Sequence, residues 1–510
     1  MIAILRTRWL LALGLTLAPL AALGVDDEIV KEFKKYFRKL DDTASRVEAV
    51  MALEGTESTA VVDALLPILD DDAPEVVRAA IRVLASFKSG PPVQKIWTEL
   101  EEDDDEAVRV GLLRAIAEGG YDGGDEILAE CLTDGSWEVR RRAVNALAAS
   151  GPEQAATWIR PLCEDREPAV RSAALDALAS MRSELVLDPA LALLNDEVWQ
   201  VRSSAISALG KVRHKRSIEP LLARMALEEG RLIQDIGEAL AEITGRDFGQ
   251  RLEGWKQFWE TFGDRFEIPT DEQLRTLREK QKERREQYTP PGAVDFVGIQ
   301  TPSRSILFVI DVSGSMEHHV VEHERFQDGD YPSMKRIDIV KTELQRTLEG
   351  LETYVNFNIL AFATAVDPWK KTLVSANVLN KRSAHDWVGK LEAIGGASKE
   401  DLARAGLGGA ANLEAGKTNT YGALSHALGL AGRGVKDKHY EVAVDTIFFL
   451  SDGRPSTGQF VDTHDILREI NGANELRKVV IHTIAIGEFS RDFMEELARD
   501  NGGVFVDLGK

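Results

Sequence analysis

The apolar residues in the first half of the chain recur with a regular period. When the chain is aligned on itself, one apolar position repeats every 31 or 32 residues, at Leu53, Leu84, Ile116, Leu147, Leu178, Leu209 and Leu240. The position seven residues before each of these is arginine in five of the seven units, the set being Arg46, Val77, Arg109, Arg140, Arg171, Arg202 and Ile233. A period in this range predicts stacked pairs of helices that share one continuous core.

A single unit shows how the pattern forms helices. The segment Asp165–Arg171 combines an acidic turn with a proline at a helix start, and Val170 and Leu178 then follow at helical spacing. The pattern resembles the short HEAT-like repeats of the phycobilisome-lyase type, over roughly Asp42 to Gly245. The resemblance implies a rigid, curved solenoid that offers a surface to a protein partner. It also implies that the repeated arginines pair with acidic residues in the turns of neighbouring units.

Runs of aspartate precede two of the predicted helices, at Asp70–Asp72 and Asp103–Asp105. Carboxylates at such positions accept hydrogen bonds from the first N–H groups of a helix and favour its positive end. We therefore interpret both runs as helix caps, with calcium binding as the alternative.

The second half of the chain alternates continuous apolar runs with amphipathic segments, which predicts a mostly parallel sheet covered by helices on both faces. The candidate strands are Ile306–Ile310, Val355–Phe362, Thr446–Leu450, Val479–Ile486 and Val504–Val506. The candidate helices are Ile337–Leu351, Tyr421–Gly432, Asp462–Asn471 and Phe493–Asp500. The predicted fold class is therefore multidomain, an all-α solenoid followed by a doubly wound α/β domain.

Hydroxyl and carboxylate side chains follow two of these strands and precede one helix. Asp311, Ser313 and Ser315 come directly after the first strand, Asp452 follows the third, and Thr418 lies just before a helix. Such hard oxygen ligands suit Mg²⁺, and ligands bind at the carboxyl ends of strands in open α/β sheets.

The Asp-x-Ser-x-Ser stretch and the two further loops resemble the metal-ion-dependent adhesion site of von Willebrand factor type A domains, over about Ser303 to Lys510. The resemblance implies that Ser313 and Ser315 ligate Mg²⁺, or Mn²⁺ or Ca²⁺, directly. Thr418 would do so directly or through water, and Asp311 and Asp452 would hold coordinated waters. The open coordination position would accept a carboxylate from a protein partner.

The sequence departs from that family in two places. Residues 317–332 form an insertion rich in histidine and acid, where His319 and His323 offer a second metal site as the alternative to surface histidines. Lys417 stands beside Thr418, and its charge would oppose a cation if it pointed inward. The segment ending Lys417-Thr418 also resembles the end of a phosphate-binding loop, but Ala411 stands where that motif needs its first glycine, which disfavours ATP.

Composition and the N-terminus suggest an exported protein. A formal charge of −22 argues against nucleic acid as a partner. Arg6 and Arg8 precede an apolar run and a small-residue pattern ending at Gly24, which predicts a cleaved signal peptide, with an uncleaved membrane anchor as the alternative. The mature chain is expected to be extracytoplasmic, periplasmic or secreted, without a transmembrane segment. Cys131 and Cys163 are expected to be buried thiols rather than a disulfide.

These patterns divide the chain into a signal peptide (1–24), a HEAT-like solenoid (25–262), a charged helical linker (263–302) and a von Willebrand factor A-like domain (303–510). The predicted function is non-enzymatic capture of a protein partner through a divalent cation, with the solenoid as a second docking surface. A metal-independent scaffold is the alternative. A hydrolase is less favoured, because neither Gly-x-Ser-x-Gly nor His-Glu-x-x-His occurs.

Overall fold

A computed structural model describes residues 20–151, 153–277, 294–320, 326, 329–394, 416–429, 443–487 and 489–508. Most of the predicted signal peptide, residues 278–293 of the predicted charged linker, and the segment 395–415 with Ala411 lie outside the described residues. The chain divides into two compact units, with the boundary in the sequence between Leu128 and Ala129. No helix in the described ranges is long and apolar enough to cross a membrane.

The first unit is built from helices. They are α1 (Leu20–Tyr36), α2 (Thr43–Met51), α3 (Thr59–Leu65), α4 (Pro74–Ala85), α5 (Pro91–Glu102), α6 (Glu106–Gly119) and the start of α7 (Asp125–Cys131). Helix α4 packs between α2 and α6, and α3 packs against α5, so the helices form two layers. This is the stacked arrangement that the 31-residue period predicts.

The second unit begins with the continuation of the same pattern. Its helices are α8 (Trp137–Ser150), α9 (Ala155–Ile159), α10 (Pro168–Ser180), α11 (Leu187–Leu193), α12 (Trp199–Val212), α13 (Ile218–Met225), α14 (Arg231–Thr244) and α15 (Leu252–Phe262). Helix α10 packs between α8 and α12, and α12 packs against α14. Trp255 of α15 is buried, and α15 packs against α13, so α15 covers the end of the repeats.

The periodic apolar positions form the core of the repeats. All seven of the aligned residues, from Leu53 to Leu240, are 1% exposed or less. Both cysteines are buried thiols, as predicted. The register read from the sequence is therefore confirmed.

The repeated arginines connect consecutive turns. Arg140 donates from Nε and Nη2 to Asp165, both at 2.8 Å, and Arg171 donates in the same way to Asp196 at 2.9 and 3.0 Å. Within the first unit, Arg46 pairs with Asp71. Each pair spans 25 residues, so the pairing between units that the resemblance implied is confirmed. A planar guanidinium bound by two hydrogen bonds fixes both distance and angle.

One of the two acidic runs caps a helix. The Oδ1 atom of Asp105 accepts from the N–H groups of Ala107 and Val108 at 2.9 and 3.1 Å, at the start of α6. Asp71 accepts from the N–H of Ala73 at 2.9 Å, but Ala73 is the residue before α4, and no side chain caps the start of that helix. The capping interpretation is therefore confirmed for the run at Asp103–Asp105 and not for the run at Asp70–Asp72.

The sheet domain occupies the C-terminal part of the second unit. Its strands are β1 (Val294–Phe296), β2 (Ile299–Thr301), β3 (Ser305–Asp311), β4 (Asn356–Phe362), β5 (Val366–Pro368), β6 (Val374–Ser375), β7 (Thr446–Ser451), β8 (Val480–Ala485) and β9 (Phe505–Asp507). Its helices are α16 (Arg336–Gly350), α17 (Val378–Gly389), α18 (Thr420–Ala427), α19 (Thr463–Arg477) and α20 (Arg491–Asp500).

The main sheet has the strand order β5-β4-β3-β7-β8-β9. Strands β4, β3, β7, β8 and β9 are parallel, whereas β5 and β6 pair antiparallel with β4 at the edge. Neighbouring side chains alternate between two cores: Phe308 and Phe448 face one, Val309 and Phe449 the other. The predicted doubly wound α/β class is confirmed, and the two short antiparallel strands are additions to it.

A β-hairpin precedes the first strand of the sheet, in a segment whose sequence predicted no strand. Strands β1 and β2 pair antiparallel around a turn in which Val297 and Gly298 both have positive φ. The ring of Phe296 makes edge contacts with Phe308 and Phe448, so the hairpin belongs to the core of the sheet domain.

Polar contacts join the last repeats to the sheet domain inside the second unit. Arg141 of α8 donates to Glu475 of α19 at 2.9 Å. Arg231, at the start of α14, donates to the carbonyl oxygen of Asp445 at 3.3 Å and to that of Lys478. Asp445 directly precedes β7, and Lys478 lies two residues before β8. The contacts of Arg231 lie at the amino ends of these strands, and the carboxyl ends form the opposite edge of the sheet.

Candidate metal centre

Two adjacent parallel strands place the predicted site residues side by side. The register of β3 and β7 pairs Ile310 with Leu450, so Asp311 and Ser451 both stand where their strands end. The carboxyl ends of parallel strands meet at one edge of a sheet, where loops can supply ligands.

Asp311 is fully buried and fixed by two hydrogen bonds. Its Oδ1 accepts from the N–H of Ser313 at 2.8 Å, and its Oδ2 accepts from Oγ of Ser451 at 2.6 Å. The hydroxyl oxygens of Ser313 and Ser315 lie 3.2 Å apart. The Asp-x-Ser-x-Ser loop therefore folds back over its own first residue.

Asp452 joins this loop from the next strand. Its Oδ1 accepts from Oγ of Ser315 at 2.7 Å, and its Oδ2 accepts from Nη1 of Arg336 at 2.8 Å. Both side chains of the Arg336–Asp452 ion pair are buried. Arg336 is the first residue of α16, so this helix places a positively charged guanidinium group at the site.

Thr418 reaches the same place from the loop before α18. Its N–H donates to Oγ of Ser456 at 2.9 Å, and its carbonyl oxygen accepts from the N–H of Ser456 at 3.0 Å. A Cβ on Gly453 would lie 3.3 Å from Oγ1 of Thr418 and 3.5 Å from Oγ of Ser315. The two hydroxyls therefore flank Gly453, and a side chain there would enter the space between them.

Backbone contacts hold the three loops together. The N–H of Gly314 donates to the carbonyl oxygen of Gly416 at 3.0 Å, which ties the first loop to the second. Asn419 caps α18 by accepting from the N–H of Gly422 at 2.9 Å, and its own N–H donates to the carbonyl oxygen of Ala363. The fold thus brings all five predicted residues, Asp311, Ser313, Ser315, Thr418 and Asp452, to one point.

Two buried carboxylates, Asp311 and Asp452, lie close together at the site, which disfavours their charged forms. Burial raises the pKa of Asp311 to about 7, and the nearby charge of Asp452 adds to the shift. Burial also raises the pKa of Asp452, against the opposing hydrogen bonds from Arg336 and Ser315. A divalent cation would relieve this repulsion, and three hydroxyls with two carboxylates form a hard donor set. The residues present therefore fit such a cation.

An open cleft of about 610 Å³ lies over these residues. It is lined by Ser315, His318, Arg336, Gly416, Lys417, Thr418, Asp452, Gly453, Arg454 and Ser456. The sequence pattern missed Arg336, Ser451, Gly453 and Ser456. Only Ser451 and Gly453 carried a signal, since both flank Asp452 in the motif.

The departures from the family pattern lie around the cleft. The N–H of Lys417 donates to Oγ1 of Thr364 at 3.2 Å, and the lysine is half-buried in the cleft lining. His318 and His319 are exposed, as expected for surface histidines, whereas His323 lies outside the described residues. Within the described part of the chain, no group of three or more His, Cys, Asp and Glu side chains could hold a further metal ion.

Comparison with known proteins assigns both halves of the chain. The model for HEAT repeats matches residues 30–117, 93–167 and 157–241, and the model for the von Willebrand factor type A domain matches residues 329–507. Inter-alpha-trypsin inhibitor heavy chain H4 of Homo sapiens is 26% identical over 209 residues, which are 41% of this chain. That stretch is 18% of the relative's length, so this chain spans under a fifth of it.

Solved structures show likenesses to each half. Proximal thread matrix protein 1 from the mussel byssus, with a zinc-occupied MIDAS motif, is 15% identical and matches 40% of this chain and 44% of its own, with a TM-score of 0.25. A designed armadillo repeat protein in complex with a (KR)4 peptide is 22% identical and matches 36% of this chain and 98% of its own, with a TM-score of 0.26. From the family models and the topology, the chain combines HEAT repeats with a C-terminal von Willebrand factor type A domain, in the predicted order.

Proposed function

We propose that this protein is an exported, non-enzymatic binding protein that captures a protein partner through a divalent cation. The observation that carries the proposal is the convergence of Asp311, Ser313, Ser315, Thr418 and Asp452 under an open cleft of a von Willebrand factor type A domain. A partner would approach this cleft from solvent.

The site residues divide into two roles. Ser313, Ser315 and Thr418 would hold Mg²⁺ through their hydroxyls, and Asp311 and Asp452 would hold its waters. Mg²⁺ keeps octahedral geometry and supplies an open position for one carboxylate oxygen of the partner. The buried hydrogen bonds of Asp311 keep the loop in this shape before a cation arrives.

The contacts of Ser315 favour binding over hydrolysis. Its hydroxyl donates to the carboxylate of Asp452, although His318 lines the same cleft. A serine nucleophile needs its proton taken by a base such as histidine, which this arrangement does not provide.

The repeats would offer a second docking surface. Their turns are tied by the arginine–aspartate pairs, such as Arg140–Asp165, which stiffens the array. Export is proposed from Arg6, Arg8 and the apolar run that ends at Gly24. Both features agree with an extracytoplasmic assembly or adhesion protein.

One observation favours the metal-independent scaffold as the second candidate. Arg336 already supplies a buried positive charge to Asp452, so part of the site's negative charge is neutralised without a metal ion. In that case the site would serve only to fix the loops.

Calorimetric titration of Mg²⁺ and Mn²⁺ into the metal-stripped chain separates the two candidates. The proposal expects saturable binding that is lost in Asp311→Ala and retained in Asp386→Ala, which removes an exposed aspartate of α17. Circular dichroism confirms that each variant is folded. Absence of binding in the folded wild-type chain, with and without acetate as a carboxylate ligand, would favour the scaffold.

A further inference from the structure

The repeats of the second unit contact the sheet domain from equivalent positions of consecutive repeats. Asn145 of α8 and Asp176 of α10 are 31 residues apart, so they occupy the same place in two neighbouring repeats. Asn145 donates from Nδ2 to Glu475 of α19 at 3.2 Å, and Asp176 pairs with Lys478, the residue that ends that helix. Helix α10 also packs against α19. Two successive repeats therefore contact one helix of the sheet domain.

The two ion pairs of this contact have opposite polarity. Arg141 of α8 is fully buried and donates to Glu475 at 2.9 Å, whereas Asp176 of α10 accepts from Nζ of Lys478. The repeats thus supply the positive partner at α8 and the negative partner at α10. Because the guanidinium of Arg141 is shielded from water, separating it from Glu475 is more costly than separating an exposed pair.

This order of charges favours the observed register over the next one. If α19 moved by one repeat toward α12, Glu475 would face Asp176 instead of Asn145, which places two carboxylates together. Lys478 would then face Ser207, the equivalent of Asp176 in α12, and would lose the counter-charge of that aspartate. The similarity of the repeats alone does not fix the register, but the charges do.

A third contact comes from the last repeat. Arg231, at the start of α14, donates to the carbonyl oxygens of Asp445 and Lys478. The equivalent positions are Gln200 in α12 and Ala169 in α10, and neither carries a guanidinium. This contact therefore distinguishes the last repeat from the two before it.

The backbone of Lys478 is an independent sign that this residue serves the contact. Lys478 has a φ of +56°, a left-handed conformation that favours glycine at the end of a helix. Its side chain pairs with Asp176 while its carbonyl oxygen accepts from Arg231. The two contacts account for a lysine at a position where glycine would be less strained.

We propose that α8, α10 and α14 form an intramolecular docking site that binds the chain's own sheet domain in this single register. The contacts of Arg231 lie at the amino ends of β7 and β8, whereas Asp311 and Asp452 lie at the carboxyl ends of β3 and β7. The docked repeats thus hold the metal centre at the opposite edge of the sheet, where its cleft is open. A second protein that binds these repeats would have to use another face of them.

Reversing the charges of one ion pair in the full chain tests the docking. The variants are Asp176→Lys, Lys478→Asp and the two together, and hydrogen exchange with mass spectrometry is the measurement. Each single reversal is expected to speed exchange about tenfold in α8, α10 and α19 together, because undocking releases every contact at once. The double variant should recover most of the protection. Unchanged exchange in both single variants, faster exchange confined to α10 and the end of α19, or no recovery in the double variant overturns the inference.

Lys478→Gly tests the same contact without bringing like charges together. It removes the ion pair but favours the left-handed backbone, so the domain should stay folded while exchange at the docking contacts becomes faster. Arg182→Gly is the matched control, since Arg182 has a φ of +51°, is exposed and pairs with Asp271, outside the sheet domain. Equally fast exchange at the docking contacts in both variants would overturn the inference, because the backbone change alone would then account for it.

Calorimetry with Mg²⁺ separates this inference from the proposed function. Folded variants that lose docking should bind Mg²⁺ as wild type does, because the metal centre lies at the other edge of the sheet. Loss of Mg²⁺ binding in folded Lys478→Gly would overturn the separation of the two edges. If wild type itself binds no Mg²⁺, the proposed function fails, and the exchange measurements still decide whether the repeats dock the sheet domain.

Discussion

Nη1 of Arg336 donates to Oδ2 of Asp452 at 2.8 Å, in an ion pair whose two side chains are buried. The same carboxylate accepts the hydroxyl of Ser315 through its other oxygen. Asp452 therefore binds the guanidinium of Arg336 and the hydroxyl of the candidate metal ligand Ser315 at the same time. A divalent cation that approaches the site meets the positive charge of Arg336, which lowers its affinity as long as no anion accompanies it.

Replacing Arg336 by glutamine should raise the affinity for Mg²⁺ in the absence of any acidic ligand, by about tenfold. The variant should also be less stable without metal, since Asp452 is left as a buried carboxylate with no cation, and Mg²⁺ should restore the lost stability. Calorimetry and thermal unfolding with and without Mg²⁺ measure the two effects. A folded variant with weaker Mg²⁺ binding would instead mean that Arg336 positions Asp452 for the metal.

The affinity for Mg²⁺ should increase as the pH rises through about 7, because Mg²⁺ competes with a proton on Asp311. Folding raises the pKa of this carboxyl from 3.8 to about 7. Between these two pH values, the folded metal-free protein therefore keeps a proton on Asp311 that the unfolded chain has released. The contribution of Asp311 to the free energy of unfolding is thus fully present below the pKa of the unfolded chain and is lost as the pH rises through the pKa of the folded protein. Mg²⁺ then stabilises the deprotonated form.

Thermal unfolding at about pH 6 and about pH 8 tests this relation. The increase in Tm on adding Mg²⁺ should be larger at the higher pH, and the dependence should disappear in Asp311→Asn. An increase in Tm of equal size at both values in the wild-type chain would contradict the assignment of the proton to Asp311.

A methyl group on Gly453 should weaken Mg²⁺ binding without unfolding the domain. The new Cβ would lie 3.3 Å from Oγ1 of Thr418 and 3.5 Å from Oγ of Ser315, so it narrows the space between the two hydroxyls. We expect Gly453→Ala to lower the affinity at least severalfold. Gly472→Ala is the matched control, because a Cβ there meets no atom within 4 Å.

The control should bind Mg²⁺ as wild type does and gain up to about 1 kcal/mol of stability, since alanine favours the helix α19. Calorimetry gives the affinities, and urea unfolding gives the free energies. If Gly453→Ala keeps full affinity, the two hydroxyls do not close around the cation at this position.

The repeat register and the five site residues could be predicted because local patterns encode them. The 31-residue period identifies the seven aligned core positions from Leu53 to Leu240, and each site residue stands near the end of an apolar strand or the start of a helix. Arg336 could not be predicted, since its contact with Asp452 spans 116 residues and follows an insertion. Pairing at that separation depends on the tertiary fold, which no local period records.

The hairpin before the sheet was missed for a different reason. Its strands β1 and β2 have three residues each, and a valine with positive φ, Val297, occupies the turn. That conformation is rare for a β-branched residue, so Gly298 alone is a weak turn signal there. The packing of Phe296 on Phe308 and Phe448 stabilises the hairpin instead.

Removing one of the repeated arginines that pair with an aspartate in the next turn should destabilise the array far more than removing a similar exposed arginine. Arg171 makes two hydrogen bonds to Asp196 and one to the carbonyl oxygen of Asp165, at 2.9 to 3.0 Å. The side chain of Asp196 is only 6% exposed, so Arg171→Ala leaves its carboxylate nearly buried and without a cation. We expect a loss of about 3 kcal/mol.

Arg216→Ala is the matched control for this change. Arg216 pairs with Asp188 at 2.9 Å, as closely as Arg171 pairs with Asp196, but both side chains are at least 60% exposed. The control should therefore lose less than about 1 kcal/mol, because water replaces an exposed pair. Urea unfolding of the two variants beside wild type measures the difference in the free energy of unfolding. Equal losses of this free energy would mean that the buried arginine–aspartate pairs orient the turns without stabilising them. A large loss in Arg171→Ala alone would show that burial, not the ion pair as such, makes each turn of the repeat depend on the next.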